Sequence, residues 1–100
     1  SYVAKERDRL LDEAIKKFIP QQASVTSQNS VNSGYLAHRR EYYLFPGKTG
    51  EVDYVVLDRK KAHFVGDKVD ENEYEKEFTR VLKRHKIVFS YDGMYIFKKI

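Results

Sequence analysis

The spacing of hydrophobic residues changes along this chain, and each spacing predicts a different element. Near the amino terminus these residues recur every three or four positions, which predicts a helix from about 4 to 18. The same spacing returns from about 70 to 85, in a stretch that opens with acidic residues and closes with basic ones. That order of charges complements a helix dipole, so a second long helix is predicted there, with Asp70 at its amino end.

Three short segments in the middle of the chain predict strands, at 23–27, 41–45 and 53–58. The first alternates between apolar and polar residues, whereas the second contains the unbroken run Tyr42-Tyr43-Leu44-Phe45 and the third contains Tyr54-Val55-Val56-Leu57. Such runs are typical of strands that are buried on both faces, as in parallel sheets. We predict that the first two strands pair in parallel through a short helix at about 31–38. A turn is predicted at 46–50 and a loop at 59–68.

The last part of the chain has the pattern of a β-hairpin. Two hydrophobic runs, 87–91 and 94–97, flank Asp92-Gly93, a dipeptide that suits a two-residue type I′ turn. That turn sets the register between the two strands. The facing pairs are Tyr91 with Met94, Phe89 with Ile96, and Val88 with Phe97. Lys98 and Lys99 are then expected to protect the edge of the sheet.

Together these elements predict one α/β domain over residues 1–100, because a chain of this length is too small to divide into two cores. We expect three layers, Rossmann-like, with a mixed sheet of about five strands that ends in the antiparallel hairpin. Hydrophobic residues are 41% of the chain and aromatic residues 14%, which excludes disorder as its default state. Cysteine is absent, so disulfide frameworks, thiolate metal sites and cysteine nucleophiles are excluded.

The charge balance adds little to this prediction. The net charge is +4, from 19 basic residues interleaved with 15 acidic ones. The basic triplet Arg59-Lys60-Lys61 fits a solvated surface, and its best alternative use is attraction to an anionic membrane. Specific nucleic-acid binding is not expected, because it needs exposed aromatic residues between the basic ones, whereas the aromatic residues here fit strands and helix cores.

Several short segments follow one another in a specific order from about residue 13 to residue 100. They are Ile19-Pro20, Ala23-Ser24-Val25, Ser27, Asn29, Leu36, His38-Arg39, Tyr43, Phe45-Pro46 and Asp53-Tyr54-Val55-Val56-Leu57-Asp58. In this order and spacing they resemble the soluble C-terminal segment of an uncharacterised family of predicted multi-pass membrane proteins. Those proteins are similar to membrane glycosyltransferases that use lipid-linked sugars of the dolichyl-phosphate-mannose type.

The resemblance implies a location and a set of partners. It places the domain after transmembrane helices, on the extracytoplasmic face of the cell membrane, next to its own transmembrane region and the membrane surface. The catalytic aspartates of related transferases lie in membrane loops outside this chain, so the resemblance implies a non-catalytic domain. Such a domain would assist acceptor or partner recognition or simply stabilise the membrane part. Related sequences tend to have Pro-His where this chain has Gly34-Tyr35. A start at Ser1, inside a helical pattern, also suggests a piece of a longer protein. The alternative is a small intracellular module that binds nucleic acid or protein.

The candidate ligand-binding residues are Ser27, Asn29, His38 and Arg39, near the carboxyl end of the first strand and the helix after it. Ligands of open α/β sheets bind at that edge, and Asn and Arg can hydrogen-bond a glycan or a sugar phosphate. If the first and third strands are parallel neighbours, Ser27, Asn29 and the residues after Asp58 surround one crevice. Arg39 or Arg40 reaches it only if the short helix has about two turns. The alternative is structural: Ser and Asn form turns and caps, and Arg39 is a surface charge.

No catalytic residue, metal site or cofactor is predicted. A triad of Ser27, His38 and Asp58 can be written down, but no nucleophile-elbow pattern surrounds the serine. The histidines have no metal-ligand spacing, and the acidic cluster that begins at Asp70 has a structural use at a helix start.

Overall fold

The computed structural model describes residues 2–31, 33–62 and 70–100. The elements follow in this order: α1 (Tyr2–Phe18), β1 (Val25–Ser27), α2 (Gly34–Ala37), β2 (Tyr42–Leu44), β3 (Tyr54–Asp58), a 3₁₀ turn (Arg59–Lys61), α3 (Glu71–Arg84), β4 (His85–Tyr91) and β5 (Met94–Lys99). The loop predicted at 59–68 begins with the 3₁₀ turn, and its part from 63 onward lies outside the described residues. Asp70 caps α3 as predicted, because its side chain accepts a hydrogen bond from the backbone N–H of Glu73.

Within the described residues the strands form one five-stranded sheet in the order β2-β1-β3-β5-β4. β1 pairs in parallel with β2, as predicted, and also with β3. β5 pairs antiparallel with β3 on one side and with β4 on the other. The predicted fold class is confirmed: the domain is a mixed α/β sheet with helices packed on it and an antiparallel hairpin at the end of the chain.

Helices cover both faces of this sheet and give it three layers. On one face, Ile15 of α1 and Leu36 of α2 share a buried cluster with Val25 of β1. On the other face, Val81 of α3 lies in a second cluster with Val55 of β3. Every residue of β3 is buried, which confirms that this run is covered on both sides. Each such aliphatic side chain stabilises the fold by about 1.5–3 kcal/mol when it is fully buried.

The prediction that the second strand is buried on both faces is wrong. β2 is an edge strand, and the side chains of Tyr43 and Leu44 are 37% and 55% exposed. The hydrophobic run 42–45 has the pattern of a central strand because it includes Phe45. Phe45 lies one residue after β2 and is buried in the cluster that contains Val81 of α3.

The hairpin has the predicted turn and a partly different register. The pairs Tyr91 with Met94 and Phe89 with Ile96 are as predicted, whereas Ile87, and not Val88, faces Phe97. The reason is a β-bulge between Ile87 and Phe89, which adds one residue to β4. The edge strand of the hairpin is β4, because β5 lies between β3 and β4. Lys98 and Lys99 belong to β5 and therefore do not protect the edge of the sheet.

Replacing Gly93 with valine is expected to destabilise the fold. Asp92 and Gly93 have φ angles of 48° and 84°, the positive values that a type I′ turn requires. A β-branched residue rarely adopts such a φ, and a Cβ on Gly93 would also lie 3.2 Å from Cγ of Lys60. We expect Gly93→Val to lower the free energy of unfolding by about 1–2 kcal/mol, measured by urea denaturation.

Gly50→Val is the matched control for this turn. A Cβ on Gly50 would meet no atom within 4 Å, and Gly50 does not have a positive φ. An equal loss of stability in both variants would argue against strain at the hairpin turn.

Candidate functional site

The carboxyl ends of β1 and β3 lie side by side, as the crevice hypothesis requires. Protein side chains fill the space there. Ser27 is 0% exposed, and its hydroxyl oxygen lies 2.6 Å from that of Tyr42. Asn29, two residues later, lies at the surface. Ser27 is therefore an interior residue that is already hydrogen-bonded, and Asn29 is the exposed member of this pair.

Gln28, which the sequence pattern did not single out, closes the end of β3. Its side-chain nitrogen donates to the backbone carbonyl of Asp58 at 2.6 Å and to the hydroxyl of Ser30 at 2.7 Å. Its side-chain oxygen accepts from the backbone N–H of Asp58 at 3.1 Å and from the hydroxyl of Tyr74 at 2.7 Å. Burial raises the pKa of Tyr74, which keeps this hydroxyl protonated as a donor. The Gln28 amide thus bonds both backbone groups of Asp58, as the backbone of a neighbouring strand would.

A partly buried ion pair joins α1 to the same edge. The guanidinium of Arg7 donates to the carboxylate of Asp58 at 3.0 and 3.3 Å, and the two side chains are 11% and 1% exposed. Arg7 also donates to the carboxylate and to the backbone carbonyl of Asp92, both at 2.7 Å. The hydrogen bond with Asp58 raises the pKa of Arg7, while bonds from Lys60 and then Arg7 lower the pKa of Asp92. These charges hold α1, β3 and the hairpin turn together.

The basic triplet after β3 is also used within the fold. Each of its residues has a carboxylate partner: Arg59 pairs with Glu75 at 2.9 Å, Lys60 pairs with Asp92, and Lys61 pairs with Asp8 at 2.5 Å. The guanidinium of Arg59 also lies 3.8 Å from the ring centroid of Phe78. These pairings do not favour the use of the triplet for the phosphates of a nucleic acid.

The structure separates the four candidate residues into two groups. His38 and Arg39 follow α2 and lie at the opposite end of β1 from Ser27 and Asn29. Arg39 donates from one nitrogen to three backbone carbonyls of the segment that enters β1, and from another to a carbonyl of α2. The acceptors are Pro20 at 3.0 Å, Gln21 at 3.3 Å, Ala23 at 2.7 Å and Tyr35 at 3.1 Å.

The length of α2 explains this separation. Ser33 caps the helix by accepting a hydrogen bond from the backbone N–H of Tyr35, so α2 starts at residue 34 and has only 4 residues. A helix of about two turns was needed to bring Arg39 to the predicted crevice, and that condition is not met. Arg39 instead fixes the loop before β1.

His38 and Arg39 line an open surface pocket between α1 and α2, with a volume of about 410 Å³. The other lining residues are Ile15, Lys16, Ile19, Gln21, Gly34 and Tyr35. The two isoleucines are buried and form an apolar base, whereas Tyr35 is 48% exposed. The ammonium nitrogen of Lys16 lies 5.2 Å from the centroid of the Tyr35 ring. We call this the α1–α2 pocket.

The sequence pattern placed Lys16 and Tyr35 on helices but did not connect them. Lys16 was assigned to the polar face of α1, and Tyr35 stands in one of the two positions where the resemblance expects Pro-His. The available signal was Ile19, which lies four residues after Ile15 and extends the apolar stripe of α1 past its end. Such an extension indicates a contact with whatever follows the helix.

Compared with known proteins, the chain matches no family model, no curated protein and no solved structure. The resemblance to multi-pass membrane proteins therefore stays a prediction. Across residues 2–31, 33–62 and 70–100, no helix combines the length and hydropathy needed to cross a bilayer. The same residues contain no group of three or more His, Cys, Asp or Glu side chains placed to hold a metal ion.

Proposed function

We propose that this is a non-catalytic recognition domain whose α1–α2 pocket binds a sugar-containing ligand. In the setting that the sequence resemblance suggests, the domain belongs to a multi-pass protein similar to lipid-linked-sugar glycosyltransferases and stands on the extracytoplasmic face of the cell membrane. Its ligand there is the acceptor or a glycan attached to it. The observation that carries this proposal is Tyr35, a half-exposed aromatic ring on the wall of the α1–α2 pocket.

The chemistry of the pocket suits a sugar ring. One face of a pyranose presents C–H groups that pack on an aromatic ring, and its rim presents hydroxyls that need hydrogen-bond partners. Tyr35 supplies the ring, while Gln21 and His38, both exposed, supply donors and acceptors beside it. The volume of about 410 Å³ lies within the range of small-ligand sites, roughly 300–1,000 Å³.

The carboxyl ends of β1 and β3 are less suitable as a ligand site than the α1–α2 pocket. The polar groups of Ser27, Gln28 and Asp58 are buried and already bonded to other parts of the domain. A ligand at that edge would have to replace those bonds, and leaving any of these groups unpaired costs about 1–3 kcal/mol. The α1–α2 pocket needs no such exchange, because the side chains of Lys16, Tyr35 and His38 make no hydrogen bond within the described residues.

A saccharide panel tests the proposal. We expect isothermal titration calorimetry or NMR to show weak saturable binding, with dissociation constants in the millimolar range, for some members of a panel of hexoses, hexosamines and their phosphates. Tyr35→Ala should weaken this binding at least tenfold, because it removes the surface on which the sugar ring packs.

Tyr91→Ala is the matched control for this test. Tyr91 is 53% exposed, similar to Tyr35, but it lies on the edge strand β4 and not in the pocket. Tyr91→Ala should bind saccharides with the affinity of the wild-type protein. The absence of saturable binding across the whole panel, or an equal loss in both variants, would contradict the proposed function.

A further inference from the structure

We infer that the α1–α2 pocket selects ligands that carry an anionic group, a phosphate or a carboxylate; this rests on the proposed function and names the class of ligand. Basic side chains line the pocket and acidic ones do not. Lys16, His38 and Arg39 face it together with Tyr35, and none of the described residues that line it is Asp or Glu. An anion that enters therefore meets positive charges and no carboxylate among the described residues that line the pocket.

The cations of this pocket also differ from many others in the domain. Arg7, Arg9 and Arg59, for example, are each paired with a carboxylate. Lys16 and Arg39 have no carboxylate partner within the described part of the chain. Lys16 lies over an aromatic ring, and Arg39 is held by backbone carbonyls alone. Neither positive charge is neutralised by a carboxylate of the described residues.

Arg39 supplies a fixed charge and Lys16 a mobile one. The four carbonyl contacts hold the Arg39 guanidinium in place, and its Nε is buried with no hydrogen-bond partner among the described atoms. Burial lowers the pKa of Arg39, although a guanidinium remains charged at neutral pH. Lys16 is exposed and has a flexible stem, so its ammonium can move within the pocket.

The position of Lys16 links sugar binding to anion binding. Its ammonium lies over the Tyr35 ring, on the surface where the proposed sugar would pack. A bound sugar therefore displaces the ammonium from the ring. A phosphate or carboxylate on the same ligand gives the displaced ammonium a charged hydrogen-bond acceptor, which a neutral sugar cannot do.

Paired titrations test this inference. Each sugar of the panel is titrated beside its own phosphate, for example glucose beside glucose 1-phosphate, at low and at high salt. For a sugar that binds, we expect the phosphate to bind at least tenfold more tightly at low salt and to lose most of this advantage at high salt. Equal affinities for the two forms would overturn the inference while the proposed function stands. If neither form of any sugar binds, the proposed function fails as well.

Two neighbouring lysines separate a specific site from a general charge effect. Lys16→Gln keeps most of the side chain and should reduce the ratio of the two affinities severalfold, while the Arg39 charge keeps it above 1. Lys17→Gln removes the same charge from the next residue of α1, which is exposed and does not line the pocket, and should keep the ratio. Equal effects of the two variants would overturn the inference.

A second arm identifies the source of the anion. Vesicles of phosphatidylcholine, with and without phosphatidylglycerol, are tested for co-sedimentation with the protein. Binding to the anionic vesicles that is lost in Lys16→Gln and kept in Lys17→Gln supports a lipid headgroup as the anionic ligand. Binding of sugar phosphates without binding to vesicles supports a soluble ligand. Vesicle binding that falls equally in both variants, with no preference for sugar phosphates, contradicts the inferred site.

Discussion

Replacing Asp58 with alanine is expected to lower the free energy of unfolding by about 2–4 kcal/mol. The Asp58 side chain is 1% exposed and accepts two hydrogen bonds from Arg7, which is 11% exposed. It also accepts a hydrogen bond at 3.1 Å from the backbone N–H of Lys60. Its removal leaves the guanidinium with Asp92 as its remaining carboxylate partner. Stability falls because the donors of Arg7 and the backbone N–H of Lys60 lose their bonds to Asp58, and a hydrogen bond to a charged group contributes about 1.5–3 kcal/mol.

Urea denaturation of Asp58→Ala and of a control, Asp8→Ala, checks this prediction. Asp8 also forms an ion pair, with Lys61, but its side chain is 50% exposed, so its loss should change the free energy of unfolding by only about 0–1 kcal/mol. In the double variant Arg7→Ala/Asp58→Ala the two effects should be clearly less than additive, because each single variant already removes the hydrogen bonds that the two residues share. Additive effects, or similar losses for Asp58 and Asp8, would contradict the role assigned to the buried pair.

Replacing Gln28 with alanine is expected to lower the free energy of unfolding by about 2–6 kcal/mol. The Gln28 side chain bonds both the backbone N–H and the backbone carbonyl of Asp58. These groups lie at the end of a strand that is buried over its whole length, where water does not easily replace the lost partner. Each unsatisfied buried group costs about 1–3 kcal/mol, and two such groups account for the expected range.

Two further variants isolate the hydrogen bonds of Gln28. Gln28→Met keeps a similar volume without the amide, so it should lose most of the stability that Gln28→Ala loses. Asn29→Ala changes an exposed neighbour and should shift the free energy of unfolding by no more than about 0.5 kcal/mol. If Gln28→Met were as stable as the original protein, packing and not hydrogen bonding would be the contribution of this residue.

The sequence predicted the features that depend on short segments. The acidic cap of α3 and the Asp92-Gly93 turn were both predicted, because each depends on residues within a few positions of one another. The parallel pairing of β1 with β2 was also predicted, since a short crossover leaves few other arrangements. Local patterns could not show the bulge at Val88 or the position of β2 at the edge of the sheet. Both depend on how each strand pairs with its neighbours, which residues within one strand do not reveal.

The polar contacts that organise the molecule join distant parts of the chain, which is why sequence patterns missed them. Arg7 and Asp58 are 51 positions apart, and Gln28 and Asp58 are 30 apart. No spacing rule connects such residues. The candidate site shows the same limit. Ser27 and Asn29 were correctly placed at the carboxyl end of β1, yet the burial of Ser27 and the start of α2 at Gly34 determine which polar side chains lie at an open surface.

The most direct test of the α1–α2 pocket as the ligand site is an amide NMR map of the whole chain, recorded while a sugar phosphate that binds is added to saturation. The map reports each residue separately, so it distinguishes the two ends of β1. The amide signals of Lys16, Gln21, Tyr35 and His38 should shift along one saturable curve, while those around Asn29 stay in place. Shifts confined to the surroundings of Asn29, or no shifts at any concentration, would contradict the account.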